Sequence, residues 1–143
     1  MAAVSRADAT WEGDLTSGGG SVKPATGAFP EVPISWAART EHTTGKTSPE
    51  ELIAAAHAAC YCMAFSNGLS KAGHEVLRLQ VTAEVEFVPG KGITSSSLTV
   101  SGHVHGITEG EFRQQAEAAK DGCPVSQALK GNVELRLNVN LEP

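Results

Sequence analysis

The sequence is poor in aromatic residues and contains no cluster of basic ones. Aromatic residues make up 5% of its 143 residues and charged residues 19%, with a formal net charge of −5. An acidic balance without a Lys/Arg cluster argues against a nucleic-acid or anionic-membrane partner. We expect no stretch that approaches the roughly 20 apolar residues of a membrane span, and the N-terminal MAAVSRADATWEG lacks an apolar signal-peptide core. The composition therefore indicates a soluble, cytoplasmic protein.

Cysteine is also scarce. The three residues of this type are Cys60, Cys62 and Cys123, and an odd number in a reducing compartment does not suggest a structural disulfide framework. The thiols are packing residues, metal ligands or redox groups, and composition does not choose among these. The hydrophobic share of 41% excludes a disordered chain, and the length predicts a single domain over residues 1–143.

A long alanine-rich helix is the strongest local signal, in TSPEELIAAAHAACYCMAFSNGLSKAG. Ser48 caps it, Pro49 suits its first position, Glu51 completes a capping box, and Gly73 supplies a left-handed stop. A helix over about residues 49–72 is about 36 Å long. Its small residues allow close backbone approach, so we expect it to be central and buried. One face of the helix carries Leu52, Ala56, Cys60 and Met63 at helical spacing, with Ala59 beside them.

The rest of the chain alternates strands and helices. Strands are predicted as a hairpin over 8–24, a short strand over 33–38 with Arg39 near its end, a pair over 75–88 and 93–107, and a last strand over 133–141. Residues 40–47 are predicted as an exposed loop, and 109–121 and 124–130 as helices. This order predicts an α+β fold with an antiparallel sheet.

Cys60 lies in the middle of the long helix, where burial alone raises the pKa of a thiol and makes it unreactive. A cation changes this, because at about 4 Å it is worth up to roughly 4 kcal/mol, or about three pKa units. Arg39 is the nearest candidate in the sequence. Glu50 is free of the capping box, but it is ten positions from Cys60, about 15 Å along the helix axis. A shared site therefore needs Arg39 as a bridge or a second subunit.

Cys123 precedes Pro124, which is predicted to start a helix. A helix N-terminus favours a thiolate, so the pKa of Cys123 is expected to be lowered, although a cysteine that only packs inward fits the same position. Cys62 lies on a different helical face from Cys60 and is interpreted as a packing residue.

The histidines offer weaker alternatives. His57 shares a helical face with Cys60, which permits a Cys–His nucleophile pair. His103 and His105 share a strand face and could bind zinc with two thiols, although neither pattern has a recognised ligand spacing. His42 and His74 are interpreted as surface loop residues.

The two cysteine segments, TSPEELIAAAHAACYCMA and KDGCPVSQALKG, resemble the OsmC/Ohr family of organic hydroperoxide reductases. WEGDLTSGGG and ISWAARTE resemble the N-terminal part of OsmC proteins, so the resemblance spans nearly the whole chain. CPVSQALKG and AAHAAC favour the OsmC branch. The resemblance implies an OsmC-like fold, with antiparallel sheets around a long central helix in an intertwined homodimer whose sites lie at the interface.

The resemblance also implies an activity: a thiol peroxidase that needs no metal, haem or flavin. Cys60 resembles the peroxidatic cysteine, Cys123 the resolving cysteine, Arg39 the arginine that stabilises the thiolate, and Glu50 the carboxylate that holds this arginine. The implied partners are an organic hydroperoxide as substrate and a dithiol reductant, for which the family implies lipoylated proteins.

Other functions stay open at this point. One alternative is a non-catalytic dimer whose thiols sense oxidation or bind a ligand. Another is a metalloprotein that uses the thiols and histidines. A hydrolase based on Cys60 and His57 leaves Cys123 without a role.

Overall fold

The computed structural model describes all 143 residues. The chain divides into two compact units, Met1–Leu52 and Ile53–Pro143. The single domain over residues 1–143 stays a prediction.

The first unit contains one three-stranded sheet. Its strands are β1 (Ala7–Glu12), β2 (Gly19–Pro24) and β3 (Val32–Ile34), in the order β1-β2-β3 with both neighbouring pairs antiparallel. The hairpin predicted over residues 8–24 is confirmed by the pairing of β1 with β2.

A short helix follows where the sequence predicted a continued strand. The strand over 33–38 is wrong beyond Ile34, because Trp36–Glu41 forms α1. The cause is local: the hydroxyl of Ser35 accepts a hydrogen bond from the Ala38 N–H at 3.0 Å, which caps an N-terminus. The predicted exposed loop over 40–47 consequently starts two residues later, at His42, whose φ of 58° ends the helix.

The long helix is confirmed as α2, Pro49–Lys71. The Ser48 hydroxyl accepts from the N–H of Glu51 at 3.1 Å, as predicted for the capping residue. The carboxylate of Glu51 accepts from the Thr47 hydroxyl at 2.7 Å. Gly73 has the predicted left-handed conformation, with a φ of 89°.

The fully buried residues of α2 are not those on the face that carries Leu52, Ala56, Cys60 and Met63. Tyr61, Phe65 and Leu69 are fully buried, whereas Met63 is 72% exposed. Tyr61, Phe65 and Leu69 follow one another at intervals of four residues and so share a face. Their side chains bury more apolar surface than a face of alanines does.

Much of α2 is not covered within this chain. A window of the helix has a mean hydropathy of 1.3, and 22% of it is buried. By length and composition alone α2 could cross a membrane, so the prediction that no stretch approaches a membrane span is wrong on those two criteria. The core helix of a soluble protein meets the same criteria.

The second unit contains a mixed sheet. Its strands are β4 (Val76–Val88), β5 (Gly92–Val104) and β6 (Glu134–Leu141), in the order β4-β5-β6. β4 and β5 are antiparallel as predicted, but β6 runs parallel to β5. The wholly antiparallel sheet is therefore wrong. Two helices, α3 (Glu109–Gly122) and α4 (Pro124–Leu129), connect β5 to β6, and a helical crossover is what a parallel pair requires.

The core of this unit lies between the central strand β5 and the helices α2 and α3. The ring of Phe65 packs between Tyr61 and Phe112, at centroid distances of 5.6 Å and 5.0 Å. Leu98 and Val100 supply the buried face of β5. The core places the middle of α2 beside the start of α4, which positions the two cysteines described below.

Candidate active site

In the first unit, Arg39 and Glu50 form a forked ion pair. The guanidinium of Arg39 donates from Nε to Glu50 Oε1 at 2.9 Å and from Nη2 to Oε2 at 2.9 Å. Arg39 comes from α1, and Glu50 from the first turn of α2. The sequence selected both residues, and the structure brings them together.

The Arg39–Glu50 pair is partly buried. Glu50 is 5% exposed, and the Arg39 Cζ atom lies 6.0 Å from the centroid of the Trp36 ring. A two-point contact between a planar guanidinium and a carboxylate fixes the orientation of both groups. The arrangement can hold a guanidinium in one place for an anion or a developing negative charge.

In the second unit, Cys60 and Cys123 come together. Cys60 lies in the middle of α2, and Cys123 is the single residue between α3 and α4. The Cys60 thiol donates a hydrogen bond to the Cys123 sulfur. Both are free thiols, Cys60 half-buried and Cys123 fully buried. Two thiols this close can form a disulfide once one of them is oxidised.

The two thiols ionise differently. Burial raises the pKa of the Cys60 thiol, and the hydrogen bond to Cys123 raises it further, while the Val125 N–H acts in the opposite direction. Burial also acts to raise the pKa of Cys123, but the polar groups that face its sulfur, which are the Ser126 N–H, the Cys60 thiol and the Ser126 hydroxyl, outweigh it. The pKa of Cys123 is therefore below its ordinary value, in the direction expected from the sequence.

His57 is buried beside this pair, but its ring nitrogens are not directed at Cys60, as the alternative of a Cys–His nucleophile pair would require. Its Nδ1 lies 2.6 Å from the Ser96 Oγ atom and its Nε2 lies 2.8 Å from the Ser126 Oγ atom. Both ring nitrogens are thus occupied by serines, and the Cys60–His57 pair is wrong. Sequence reasoning missed both serines because they are 39 and 69 residues from His57 in the chain.

Burial lowers the pKa of His57. The imidazole is therefore neutral at physiological pH, since the charged form is the one that burial disfavours.

The remaining candidates do not form a site. His103 and His105 stand 6.2 Å apart by ring centroid, and no group of three or more His, Cys, Asp or Glu side chains is placed to hold a metal ion. Cys62 is half-buried, and burial raises its pKa. His74 is not a free surface residue: its Nε2 lies 2.8 Å from Glu111 Oε1, and its side chain is 13% exposed.

Known proteins with similar sequences have names that refer to peroxides. Peroxiredoxin OsmC of Escherichia coli (strain K12) is 40% identical over 133 residues, which cover 91% of this chain and 92% of that protein. Organic hydroperoxide resistance protein-like 1 of Staphylococcus epidermidis is 30% identical over 98 residues, which cover 66% of this chain and 70% of that protein.

A solved structure has the same fold. The crystal structure of an organic hydroperoxide resistance protein OsmC from Legionella pneumophila matches with a TM-score of 0.72 and 26% identity, over 97% of this chain and 99% of that one. The family model described as "OsmC-like protein" matches residues 41–138. The chain therefore belongs to the OsmC-like protein family.

Proposed function

We propose that this protein is a cysteine-based peroxidase that reduces organic hydroperoxides to alcohols. The observation that carries the proposal is the contact between the Cys60 and Cys123 thiols inside the second unit. The relatives named peroxiredoxin OsmC and organic hydroperoxide resistance protein support a peroxide substrate.

The chemistry starts at Cys60, the more exposed of the two thiols. Its thiolate attacks the distal oxygen of the hydroperoxide, so an S–O bond forms and the O–O bond breaks. The departing alkoxide takes a proton and leaves as the alcohol, while Cys60 becomes a sulfenic acid. The sulfur is oxidised and the peroxide is reduced, with no metal, haem or flavin.

Cys123 then resolves the sulfenic acid. Its sulfur attacks the Cys60 sulfur, the S–S bond forms, and the S–O bond breaks to release water. A dithiol reductant, for which we propose a lipoylated protein, reopens the disulfide by exchange and is itself oxidised to a disulfide. Cys123 suits this role because its pKa is lowered and its sulfur already contacts Cys60.

Arg39 and Glu50 complete the proposed site. Burial raises the pKa of Cys60, so a fast peroxidatic thiolate needs a cation, and we assign this part to Arg39 with Glu50 as the residue that orients it. Glu50 and Cys60 are separated by about 15 Å along α2. We therefore propose an intertwined homodimer in which α2 is the central helix, because much of its apolar surface is left uncovered within one chain.

The test is dithiol-dependent consumption of cumene hydroperoxide, with hydrogen peroxide in parallel. We expect turnover in the wild type, complete loss in Cys60→Ser and unchanged turnover in the matched control Cys62→Ser. Cys123→Ser should accumulate a sulfenic acid that dimedone traps. Full activity in Cys60→Ser, or no turnover in the wild type, would refute the proposal and favour a thiol sensor.

A further inference from the structure

A line of four buried polar side chains runs from the sheet to the cysteine pair. Ser96 on β5 contacts His57 at 2.6 Å, and His57 contacts Ser126 on α4 at 2.8 Å. Ser126 lies in the first turn of α4, which directly follows the N-cap residue Cys123, and its hydroxyl acts on the Cys123 sulfur. Ser96, His57 and Cys123 are fully buried, and Ser126 is 1% exposed. These groups have no access to water and must satisfy one another.

The ring nitrogen of His57 that carries the proton determines whether the Ser126 hydroxyl donates to the Cys123 sulfur or accepts from it. A neutral imidazole carries one N–H and one bare nitrogen. If Nε2 carries the proton, it donates to the Ser126 oxygen, and the Ser126 hydroxyl is left to donate to the Cys123 sulfur. If Nδ1 carries the proton, the Ser126 hydroxyl donates to Nε2 instead, and the Ser126 oxygen can only accept from a Cys123 thiol.

The two tautomers therefore match two states of Cys123. The Nε2–H form suits the thiolate, which needs a donor, and the Nδ1–H form suits the thiol, which is itself a donor. Ser96 is compatible with both, because a hydroxyl can donate to Nδ1 or accept from it.

We propose that His57 is a positioning residue that acts through Ser126, holding the Ser126 hydroxyl toward the Cys123 sulfur, where it favours the thiolate form of Cys123. Applied to turnover, this rests on the proposed function: Cys123 is then ready to displace hydroxide from the Cys60 sulfenic acid. The new S–S bond replaces the S–O bond, and the hydroxide leaves as water with a proton from solvent.

Among the other titratable groups around these residues, the Cys60 thiol also acts to lower the pKa of Cys123. Cys60 faces Cys123 from α2 and donates one hydrogen bond. Tyr61, on the same helix, donates its hydroxyl to the Ala116 carbonyl at 2.9 Å, and Glu117 of α3 acts on Tyr61. The pKa of Cys123 is lowered by hydrogen bonds and not by a cation, and Ser126 contributes both its N–H and its hydroxyl.

The first test measures Cys123 directly. In a Cys60→Ser/Cys62→Ser background Cys123 is the single thiol, and its ionisation is followed by thiolate absorbance at 240 nm. Ser126→Ala should raise the pKa of Cys123 by about one pH unit, the typical worth of a hydrogen bond to a charged group. Ser126→Thr, which keeps the hydroxyl, should restore it, and Ser97→Ala on β5 should leave it unchanged. An unchanged pKa in a folded Ser126→Ala would overturn the proposal.

The second test needs no substitution. Nitrogen-15 chemical shifts of the His57 ring in the reduced wild type should show the Nε2–H tautomer above the pH at which Cys123 ionises and the Nδ1–H tautomer below it. A merely structural histidine keeps one tautomer throughout, and that result would refute the coupling even if Ser126→Ala failed to fold.

A kinetic readout separates this proposal from the peroxidase itself. Ser126→Ala should not slow the formation of the Cys60 sulfenic acid, because a less charged Cys123 does not raise the pKa of Cys60. It should slow disulfide formation by up to about threefold at pH 7, since a thiolate fraction up to about tenfold smaller is partly offset by greater nucleophilicity. The thiolate absorbance and the nitrogen-15 chemical shifts are both measured on reduced protein without peroxide, so neither depends on turnover. A wild type that lacks turnover but shows the Ser126 effect refutes only the peroxidase, and an active peroxidase without the effect refutes only the role of His57.

Discussion

Arg39 donates hydrogen bonds from two nitrogens, Nε and Nη2, to the carboxylate of Glu50, each over 2.9 Å. The two residues are eleven positions apart, and they meet because α1 ends shortly before α2 begins. Glu50 is almost fully buried, and its carboxylate is held by this guanidinium. The pair therefore has a structural consequence that can be measured apart from any catalysis.

Arg39→Ala should destabilise the protein by about 3 kcal/mol, because breaking a buried ion pair leaves one charge without compensation. Arg39→Ala/Glu50→Gln should recover part of that loss, since the buried carboxylate is then neutral. Urea unfolding followed by circular dichroism measures both. Glu51→Gln is the matched control: the neighbouring acid is exposed, and its loss should cost less than about 1 kcal/mol. Equal costs for the Glu50→Gln and Glu51→Gln single variants would contradict the role of burial.

The contact between the two thiols predicts how they react with an alkylating agent. The hydrogen bond to Cys123 and the charge of Cys123 both raise the pKa of Cys60. Removing them in Cys123→Ala should lower this pKa, so Cys60 should react at least about threefold faster with iodoacetamide at pH 8. Peptide mass spectrometry reports the modification of Cys60 alone.

Cys62→Ala is the control for that experiment. Cys62 is not among the groups that shift the pKa of Cys60, so its removal should leave the alkylation rate of Cys60 unchanged. Slower alkylation of Cys60 in Cys123→Ala would mean that Cys123 helps Cys60 to ionise, and the order of the two pKa values would be reversed.

The burial of Tyr61 predicts that the free energy of unfolding falls at alkaline pH. Burial raises the pKa of this phenol well above its usual value, with smaller contributions from the charges of Glu117 and Cys123. A pKa raised on folding means that the unfolded chain releases the proton first. The stability contributed by the neutral phenol is thus complete below about pH 10 and falls as the pH rises beyond it.

The chain has a single tyrosine, so tyrosinate absorbance at 295 nm reports this residue alone. In the folded protein it should not appear below the pH of alkaline unfolding, whereas in 8 M urea it should follow an ordinary phenol. Tyr61→Phe should flatten the fall of the urea midpoint above about pH 10. A reversible titration near pH 10 in the native state would show that the phenol is not buried.

The sequence predicted local structure well where the signal was local. Ser48, Pro49 and Gly73 gave the bounds of α2 to within one residue, because caps and stops act over a few positions. The sequence-based prediction was wrong at Trp36–Glu41. A short apolar run fits a strand or a helix equally well, and here the Ser35 cap favours the helix. The parallel pairing of β6 depends on the path of the chain through α3 and α4, which periodicity does not encode.

The residues of the candidate site also divide into those that the sequence indicated and those that it did not. Arg39, Glu50, Cys60 and Cys123 were identifiable from residue type and from the resemblance. Ser96 and Ser126 were not, because a buried serine has no sequence signal of its own and its partner His57 is distant in the chain. The position of His57 three residues before Cys60 suggested a direct pair, but helical neighbours at that spacing need not point into the same site, and both ring nitrogens point to serines.

Gly102 on the central strand allows the core of the second unit to close. A Cβ atom at this position would lie 2.5 Å from Phe112 Cζ and 3.0 Å from Leu79 Cδ2, and the Phe112 ring is fully buried. Gly102→Ala should therefore destabilise the protein by about 1–3 kcal/mol through overpacking. Gly110→Ala in α3 is the matched control: its Cβ would meet nothing within 4 Å, and the helix should gain up to about 1 kcal/mol. Urea midpoints of the two variants should move in opposite directions from the wild type. A stabilised Gly102→Ala would show that the Phe112 ring can move aside, and the packing of α3 on β5 would then be looser than described.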